Sequence, residues 1–305
     1  MYIVLKRLLQ LINACLSSIL YFVNTVICFI PLILFSLIKV VPINASQKLM
    51  SIIVDAIATF WISLNTFNQN VFSRTVYDVE GINELNIDDW YLVIANHQSW
   101  VDILSLQRVF NKKIPFLKFF LKKNLIFVPF LGLAWWGLDF PFMQRYSKQF
   151  LKKHPHLKGK DLETTKKACK KFSYKPVSVM NFVEGTRYTP QKANKKATFN
   201  HLLSPKAGGV AFVLSAMKEQ LTHIVDVTIY YPHGVPSFWD FASGKVSRIV
   251  VRVNTIRISK LFDDGTFSEN YFTDDQQRAT FQSWLNSQWK QKDKALADLR
   301  KEYQL

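Results

Sequence analysis

Two short stretches of the sequence hold side chains that could do acid–base and anion-binding chemistry. The first, "VIANHQSWVDIL" (residues 93 to 104), begins as an apolar run and then presents His97 and, five positions later, Asp102. An imidazole with its reference pKa of about 6.5 can act as a base at physiological pH, and a neighbouring carboxylate can orient it. Ser99 and Asp102 also match a capping box that opens a helix. From this stretch alone, a catalytic histidine and a structural one are equally open.

The second stretch is "FVEGTRYTP" (residues 182 to 190), in which Gly185 and Thr186 form a predicted turn after a β-rich run. Glu184 and Arg187 place opposite charges around this turn, and a surface ion pair would explain them. The planar guanidinium of Arg187 also fits a phosphate group through two parallel hydrogen bonds, and backbone amides beside Gly185 could join it. The stretch therefore predicts either a plain surface turn or an anion site.

The composition narrows the class of partner. The 305 residues include 39 Lys plus Arg and 22 Asp plus Glu, so the formal net charge is +17 and an anionic partner is expected. Nucleic acid, anionic lipid and phosphorylated molecules all satisfy this charge. The three cysteines are too few and too scattered for a disulfide framework or a zinc site. We therefore expect reduced thiols and no metal ion.

The N-terminal sequence predicts a membrane anchor. Residues 8 to 38 carry no charged side chain, a run long enough to cross a bilayer and too long for a signal peptide. A second apolar segment, residues 49 to 64, holds Asp55 and would rise only about 24 Å as a helix, so it either spans the membrane or re-enters it. With a turn at residues 39 to 48, the two segments form a predicted helical hairpin.

The remainder of the chain has the rhythm of an α/β domain. From about residue 76, short β-rich runs such as "WYLVIAN" and "HIVDVTIYYP" alternate with amphipathic stretches such as "WVDILSLQRVF". The end of the sequence, "QRATFQSWLNSQWKQKDKALADLRKEY", predicts a long helix with one apolar side. We expect membrane-anchoring helices over residues 1–72 and a second domain over residues 73–305.

Taken together, "NHQSWVD" and "FVEGTR" resemble the His-x4-Asp and Glu-Gly-Thr-Arg motifs of the 1-acylglycerol-3-phosphate acyltransferase family, in the expected order and separation. The similarity extends over most of residues 75 to 305. The stretches "KKNLIFVPFLGLAWWG", "DVTIYYP" and "WLNSQWKQKD" look closest to the bacterial YihG branch and to lysocardiolipin-type enzymes. The resemblance implies a mostly parallel sheet flanked by helices, behind an N-terminal membrane helix pair, and makes residues 73–305 an acyltransferase domain.

The resemblance also implies a role for each matching residue. His97 is the expected general base, which takes the proton of a glycerol hydroxyl as that oxygen attacks an acyl thioester, and Asp102 orients its ring. The substrate phosphate is expected to be handled by six further residues: Glu184, Gly185, Thr186, Arg187, Lys122 and Arg145. The sequence departs from the family pattern at Asp139, where Gly is usual, and at Val183, where Pro is common.

The expected activity is membrane-bound transfer of a fatty acyl group to the sn-2 hydroxyl of 1-acyl-glycerol-3-phosphate, which gives phosphatidic acid. No cofactor is expected, because acyl-CoA or acyl carrier protein brings the acyl group as a substrate. Lysophosphatidylglycerol and lysocardiolipin are alternative acceptors. A non-enzymatic basic membrane protein that binds nucleic acid or anionic lipid is the other class that stays open, although we expect no nucleic acid partner. The resemblance to a bacterial branch implies a bacterial inner membrane. The positive-inside rule predicts that the catalytic domain faces the cytoplasm, where its net positive charge would contact anionic lipid.

Overall fold

A mixed β-sheet lies at the centre of the protein, as described by a computed structural model for residues 2–143, 172, 175–193 and 198–303. The strands in these residues are β1 (Val76–Glu80), β2 (Tyr91–Ala95), β3 (Leu117–Phe119), β4 (Leu121–Lys122), β5 (Phe142–Met143), β6 (Ser178–Phe182), β7 (His223–Tyr230) and β8 (Arg248–Arg257). The helices are α1 (Tyr2–Ile38), α2 (Asn44–Asn68), α3 (Val101–Phe110), α4 (Leu131–Gly137), α5 (Pro190–Ala193), α6 (Ala207–Ala216), α7 (Phe238–Ala242), α8 (Ile258–Asp263) and α9 (Asp275–Glu302).

Six of these strands form the main sheet in the order β1-β8-β7-β2-β6-β3. Every neighbouring pair in this order is parallel except β7 with β8. The carboxyl ends of β2, β6 and β7 meet at one edge, where Ala95 lies opposite both Phe182 and Val227. The prediction of a mostly parallel sheet is confirmed, and the residues that follow these three strands are brought together.

Helices cover both faces of the sheet. In β2, Leu92 and Ile94 pack with α6 and α9, whereas Tyr91, Val93 and Ala95 pack with α3 and α7. Burial on both faces explains why the strand reads as a continuous apolar run. The predicted C-terminal helix is confirmed as α9, which buries Phe281, Leu285, Trp289, Leu296 and Leu299.

The N-terminal apolar sequence forms the antiparallel pair α1 and α2. Helix α2 is longer than the predicted segment of residues 49 to 64, because polar residues on both sides of that segment continue the helix and a π-turn, Gln69–Ser73, follows it. The side chain of Asn24 donates to the Asn65 side chain at 2.7 Å and joins the two helices. The segments Ile3–Ile38 and Asn44–Ser73 are long and apolar enough to cross a membrane, by length and composition.

Largely buried ion pairs connect this helix pair to the rest of the protein. Asp55 of α2 lies 2.5 Å from Nζ of Lys175 and 3.5 Å from Nζ of Lys118. At the end of α1, Lys39 pairs with Asp139 at 2.6 Å. Asp139, where the family described above usually has glycine, is thus a carboxylate that contacts the helix pair.

Candidate active site

The imidazole of His97 lies just beyond the carboxyl end of β2, with Nδ1 2.8 Å from Oδ2 of Asp102. Its ring stacks on Phe182, the last residue of β6, with ring centroids 3.9 Å apart and planes 14° apart. The Asp102 side chain is fully buried, whereas 12% of the His97 side chain is exposed. The structure therefore holds the ring by one edge and one face and leaves part of it open to solvent.

The Asp102 carboxylate is surrounded by hydrogen-bond donors. Oδ2 accepts from the backbone N–H groups of Gln98 at 2.6 Å and Ser99 at 2.8 Å. Oδ1 accepts from the hydroxyl of Tyr231 at 2.5 Å. An ionised carboxylate only accepts hydrogen bonds, so its fourth partner, Nδ1 of His97, carries the hydrogen and Nε2 keeps its lone pair. This is the tautomer that a general base requires.

The predicted capping box forms only in part. The Asp102 side chain accepts from the backbone of Ser99, but the Ser99 hydroxyl accepts from the N–H of Val101 at 3.1 Å and donates to the carbonyl of Pro236. Asp102 therefore serves both the helix start and the imidazole, and the two interpretations of this residue are compatible.

Two residues that were not predicted as part of the site, Tyr231 and Asn96, support this pair. Burial and the Asp102 charge raise the pKa of Tyr231 well above its usual value, so its hydroxyl stays a donor. The side chain of Asn96 donates to the carbonyl of Ile229 at 2.9 Å and accepts from its N–H at 2.8 Å. The two Asn96 bonds tie the end of β2 to the end of β7. Tyr231 lies near the end of the predicted run "HIVDVTIYYP", and this position at a strand end was the available signal.

Glu184 is buried and bridges two backbone groups. Oε1 accepts from the N–H of His97 and Oε2 from the N–H of Leu203, both at 3.1 Å. Burial raises the pKa of Glu184 to about 8, opposed by these two N–H groups and by the charge of Lys292. The alternative of a surface ion pair with Arg187 is wrong, because Glu184 points inward and Arg187 is exposed.

Gly185 makes the turn that follows Glu184. Its φ of +71° lies in the left-handed region that favours glycine, and its N–H donates to the carbonyl of Phe182 at 2.9 Å. A Cβ atom at this position would lie 3.0 Å from Nζ of Lys206. The turn thus brings a lysine ammonium against the glycine backbone.

Further positive charge surrounds this turn. The ammonium of Lys192 donates to the Thr186 hydroxyl at 2.7 Å and to the carbonyl of Arg187 at 3.1 Å. The guanidinium carbon of Arg187 lies 4.7 Å from the ring centroid of Trp100. Arg187 and Thr186 are predicted site residues, whereas Lys192 and Lys206 could not be predicted, because lysines are common in this basic chain and no motif marks these two.

The two predicted stretches are joined directly. The N–H of Tyr188 donates to the carbonyl of His97 at 2.7 Å, immediately after Arg187. Lys122 lies in β4, but its side chain and all of Arg145 lie outside the described residues. The described part of the site thus combines an oriented imidazole with a cationic turn, an arrangement suited to removing a proton from a substrate that carries an anionic group.

The chain is similar in sequence to known acyltransferases over about three quarters of its length. An uncharacterized acyltransferase of Schizosaccharomyces pombe is 24% identical over 258 residues, covering 77% of this chain and 67% of that protein. A probable 1-acyl-sn-glycerol-3-phosphate acyltransferase of Arabidopsis thaliana is 24% identical over 253 residues, covering 78% of this chain but only 60%, less than two thirds, of that protein.

Among solved structures, the crystal structure of the 1-acyl-sn-glycerophosphate acyltransferase PlsC from Thermotoga maritima has the same fold. The TM-score is 0.52 at 14% sequence identity, and the match covers 95% of this chain and 98% of that one. The family model described as Acyltransferase matches residues 76–232, just over half of the chain. Those residues include both β-strand ends that present His97 and Glu184, and the chain belongs to the acyltransferase family of enzymes.

Proposed function

We propose that the enzyme transfers a fatty acyl group from an acyl thioester to the sn-2 hydroxyl of 1-acyl-glycerol-3-phosphate. The observation that carries the proposal is the 2.8 Å contact of His97 Nδ1 with buried Asp102, on a segment bonded to Tyr188 and hence adjacent to Arg187. The imidazole supplies the base that an alcohol nucleophile needs, and the guanidinium supplies a partner for the phosphate.

The reaction balances with these groups. Nε2 of His97 takes the hydroxyl proton while the oxygen attacks the thioester carbonyl carbon. The oxyanion that results collapses, the C–S bond breaks, and the departing thiolate takes the proton from the imidazolium. The ester and a free thiol are formed, and the histidine is neutral again. Asp102 stabilises the transient imidazolium, and general-base catalysis of this kind typically contributes about 10² to 10⁴ in rate.

The choice of acceptor rests on the cationic turn. Arg187, Lys192 and Lys206 surround the backbone of residues 185–187 and suit a phosphate monoester. The name of the Arabidopsis relative supports the same acceptor. The stretches that look closest to the YihG branch and to lysocardiolipin-type enzymes make lysophosphatidylglycerol and lysocardiolipin the competing acceptors.

We propose residues 1–72 as the membrane anchor and residues 73–305 as the catalytic domain, on the cytoplasmic face of a bacterial inner membrane. The outward side chains of α1 and α2 are large and apolar, which suits contact with lipid tails. The net charge of +17 favours anionic lipid and a polyanionic donor, either acyl-CoA or acyl carrier protein. Substrate and product of this reaction are both lipids, so an anchored enzyme has access to both.

The test is an assay of the purified full chain in vesicles. Lysophosphatidic acid, lysophosphatidylglycerol and lysocardiolipin are each paired with acyl-CoA or acyl-loaded carrier protein, and the products are identified by mass spectrometry. We expect phosphatidic acid from the first acceptor and at least a hundredfold loss with His97→Ala. Equal turnover by His97→Ala and the unmodified chain contradicts the mechanism, and a preference for another acceptor contradicts the substrate.

A further inference from the structure

Helix α9 carries a buried lysine that contacts the strand next to the candidate base. Nζ of Lys292 donates to the carbonyl of Val227 at 2.6 Å and to the hydroxyl of Thr228 at 3.1 Å. The same nitrogen lies 2.6 Å from the carboxylate of Asp226. The Lys292 side chain is 1% exposed, and burying an ammonium group is costly unless it is paired in this way. One side chain thus holds three consecutive residues of β7.

The residues that follow this contact, at and just beyond the end of β7, reach the catalytic pair. Ile229 exchanges two hydrogen bonds with the side chain of Asn96, next to the base, and Tyr231 donates to Asp102. A strand segment fixed at residues 226–228 has little freedom at residues 229–231. The position of the carboxylate and of the backbone before the imidazole therefore depends on the lysine.

The next residue of α9 holds the other side of the site. The carboxylate of Asp293 accepts from the backbone N–H groups of residues 200 and 201 at 3.1 and 2.7 Å. Two residues further along the chain, Leu203 donates to Glu184, which in turn accepts from the N–H of His97. The loop that leads to Leu203 is thus fastened to the same turn of α9.

We infer that Lys292 and Asp293 are positioning residues for acyl transfer, which act on the His97–Asp102 pair from α9 through β7 and through Glu184. The inference rests on the proposed function for its kinetic consequence. Both residues lie outside residues 76–232, the part of the chain that the family model matches. The catalytic geometry would therefore depend on a helix that is not part of the matched family sequence. Their side chains do not contact the reacting atoms.

The experiment uses the full chain with Lys292→Met and Asp293→Asn, each assayed with lysophosphatidic acid and acyl-CoA varied separately. Misplacement of a catalytic group lowers kcat more than KM, and we expect kcat to fall roughly 10- to 100-fold. KM for both substrates should stay within about threefold. Lys294→Met and Asp298→Asn, at exposed positions of the same helix, should match the unmodified chain.

A destabilised control separates positioning from simple loss of stability. Leu285→Ala removes a buried side chain of the same helix and leaves the side chains of Lys292 and Asp293 in place. It should lower the melting temperature while keeping kcat at an assay temperature well below that midpoint. If it loses as much kcat as Lys292→Met at an equal fall in melting temperature, the inference is overturned. If Lys292→Met does not fold, Asp293→Asn decides by the same criteria.

Amide hydrogen exchange tests the inference without turnover. The N–H groups of residues 97, 203 and 229 should exchange at least about tenfold faster in Lys292→Met or Asp293→Asn than in the two surface controls. Unchanged exchange together with unchanged kcat overturns the inference and leaves the proposed function intact. Lack of turnover by the unmodified chain on all three lysophospholipids defeats the proposed function, whereas the exchange comparison still decides on the role of α9.

Discussion

The hydroxyl of Tyr231 donates a 2.5 Å hydrogen bond to Oδ1 of Asp102, across 129 residues of sequence. This bond leaves Oδ2 for the imidazole of His97 and for two backbone N–H groups. Hydrogen bonds to a charged acceptor contribute about 1.5 to 3 kcal/mol, more than those between neutral groups. The Asp102 carboxylate, which lies in α3 and contacts the candidate base, is thus itself held by Tyr231, the residue that directly follows β7.

Tyr231→Phe removes this bond with little change in volume. We expect kcat to fall about tenfold, because the carboxylate gains freedom to rotate away from the imidazole, and the free energy of unfolding to fall by about 1 to 3 kcal/mol. Steady-state kinetics and urea unfolding measure the two effects. Tyr230→Phe, one residue earlier and partly exposed, is the matched control. Wild-type kcat in Tyr231→Phe would show that the bond has no part in catalysis.

Asp102→Asn should be more damaging than loss of the tyrosine hydroxyl. A carboxamide has one accepting oxygen, whereas four donors converge on this side chain. The imidazole would then lose its preferred tautomer, and we expect kcat to fall by about 10² to 10⁴. Initial rates under saturating substrate measure this, with the exposed Asp88→Asn as the control. A variant with more than half the normal kcat would rule out the orienting role.

The raised pKa of Glu184 predicts that the stability of the protein falls as the pH rises. Its pKa is raised from 4.5 to about 8 by burial, so the folded state favours the protonated form. The stability that this residue contributes is fully present below about pH 4.5 and is lost as the pH rises toward 8. The total loss is at most about 5 kcal/mol.

Glu184→Gln isolates this contribution, because glutamine does not titrate. The difference in unfolding free energy between the unmodified chain and the variant, measured in urea at pH 5 and at pH 8, should favour the unmodified chain more strongly at pH 5. The comparison removes the titration of all other groups that the two proteins share. A difference that is constant with pH, or that grows toward pH 8, contradicts the raised pKa.

Arg187 should act on substrate binding more than on the chemical step. Arg187→Ala removes the guanidinium proposed to bind the substrate phosphate, and we expect KM for lysophosphatidic acid to rise about tenfold or more. Arg187→Lys keeps the charge but loses the planar group that lies over Trp100, so we expect it to recover only part of the loss. Saturation kinetics decides, with the exposed Arg257→Ala as the control. An unchanged KM in Arg187→Ala places the phosphate elsewhere.

Asp55 should be essential for joining the helix pair to the domain. Asp55→Leu leaves the ammonium groups of buried Lys118 and partly buried Lys175 without their carboxylate, and loss of one partner of a buried ion pair typically costs about 3 to 5 kcal/mol. Chemical unfolding measures the loss, and limited proteolysis should show earlier cleavage at the turn near residue 40. Asp88→Leu, in an exposed loop, should leave both unchanged. Equal protease resistance in the two variants contradicts the prediction.

The parts of the site that sequence could predict are those set by local chain geometry. His97 and Asp102 are five residues apart, at a strand end and a helix start, so their proximity follows from the chain itself. Tyr231 and Lys292 reach the same site from distant positions, and only the strand order places them there. Glu184 could be predicted as part of the motif but not as a buried group. The loop around residue 203, which contacts its side chain, is 19 residues away in the sequence.

The lengths of the N-terminal helices also depend partly on local sequence and partly on tertiary contacts. Hydropathy identified residues 49 to 64 as apolar, but it cannot detect that polar side chains such as Asn65 find partners on the facing helix. Helix α2 therefore extends further than its apolar core. Burial of polar residues depends on tertiary contacts, and hydropathy averaged along one segment of the sequence cannot detect such contacts.

The joining of strand ends has a kinetic consequence for the refolding chain. His97 reaches Glu184 across 87 residues and Asp102 reaches Tyr231 across 129, so the site is completed only after the distant strands have docked. Closure of such large loops is slow compared with helix growth. Circular dichroism should therefore recover early after dilution from denaturant, while acyl-transfer competence returns in a later phase.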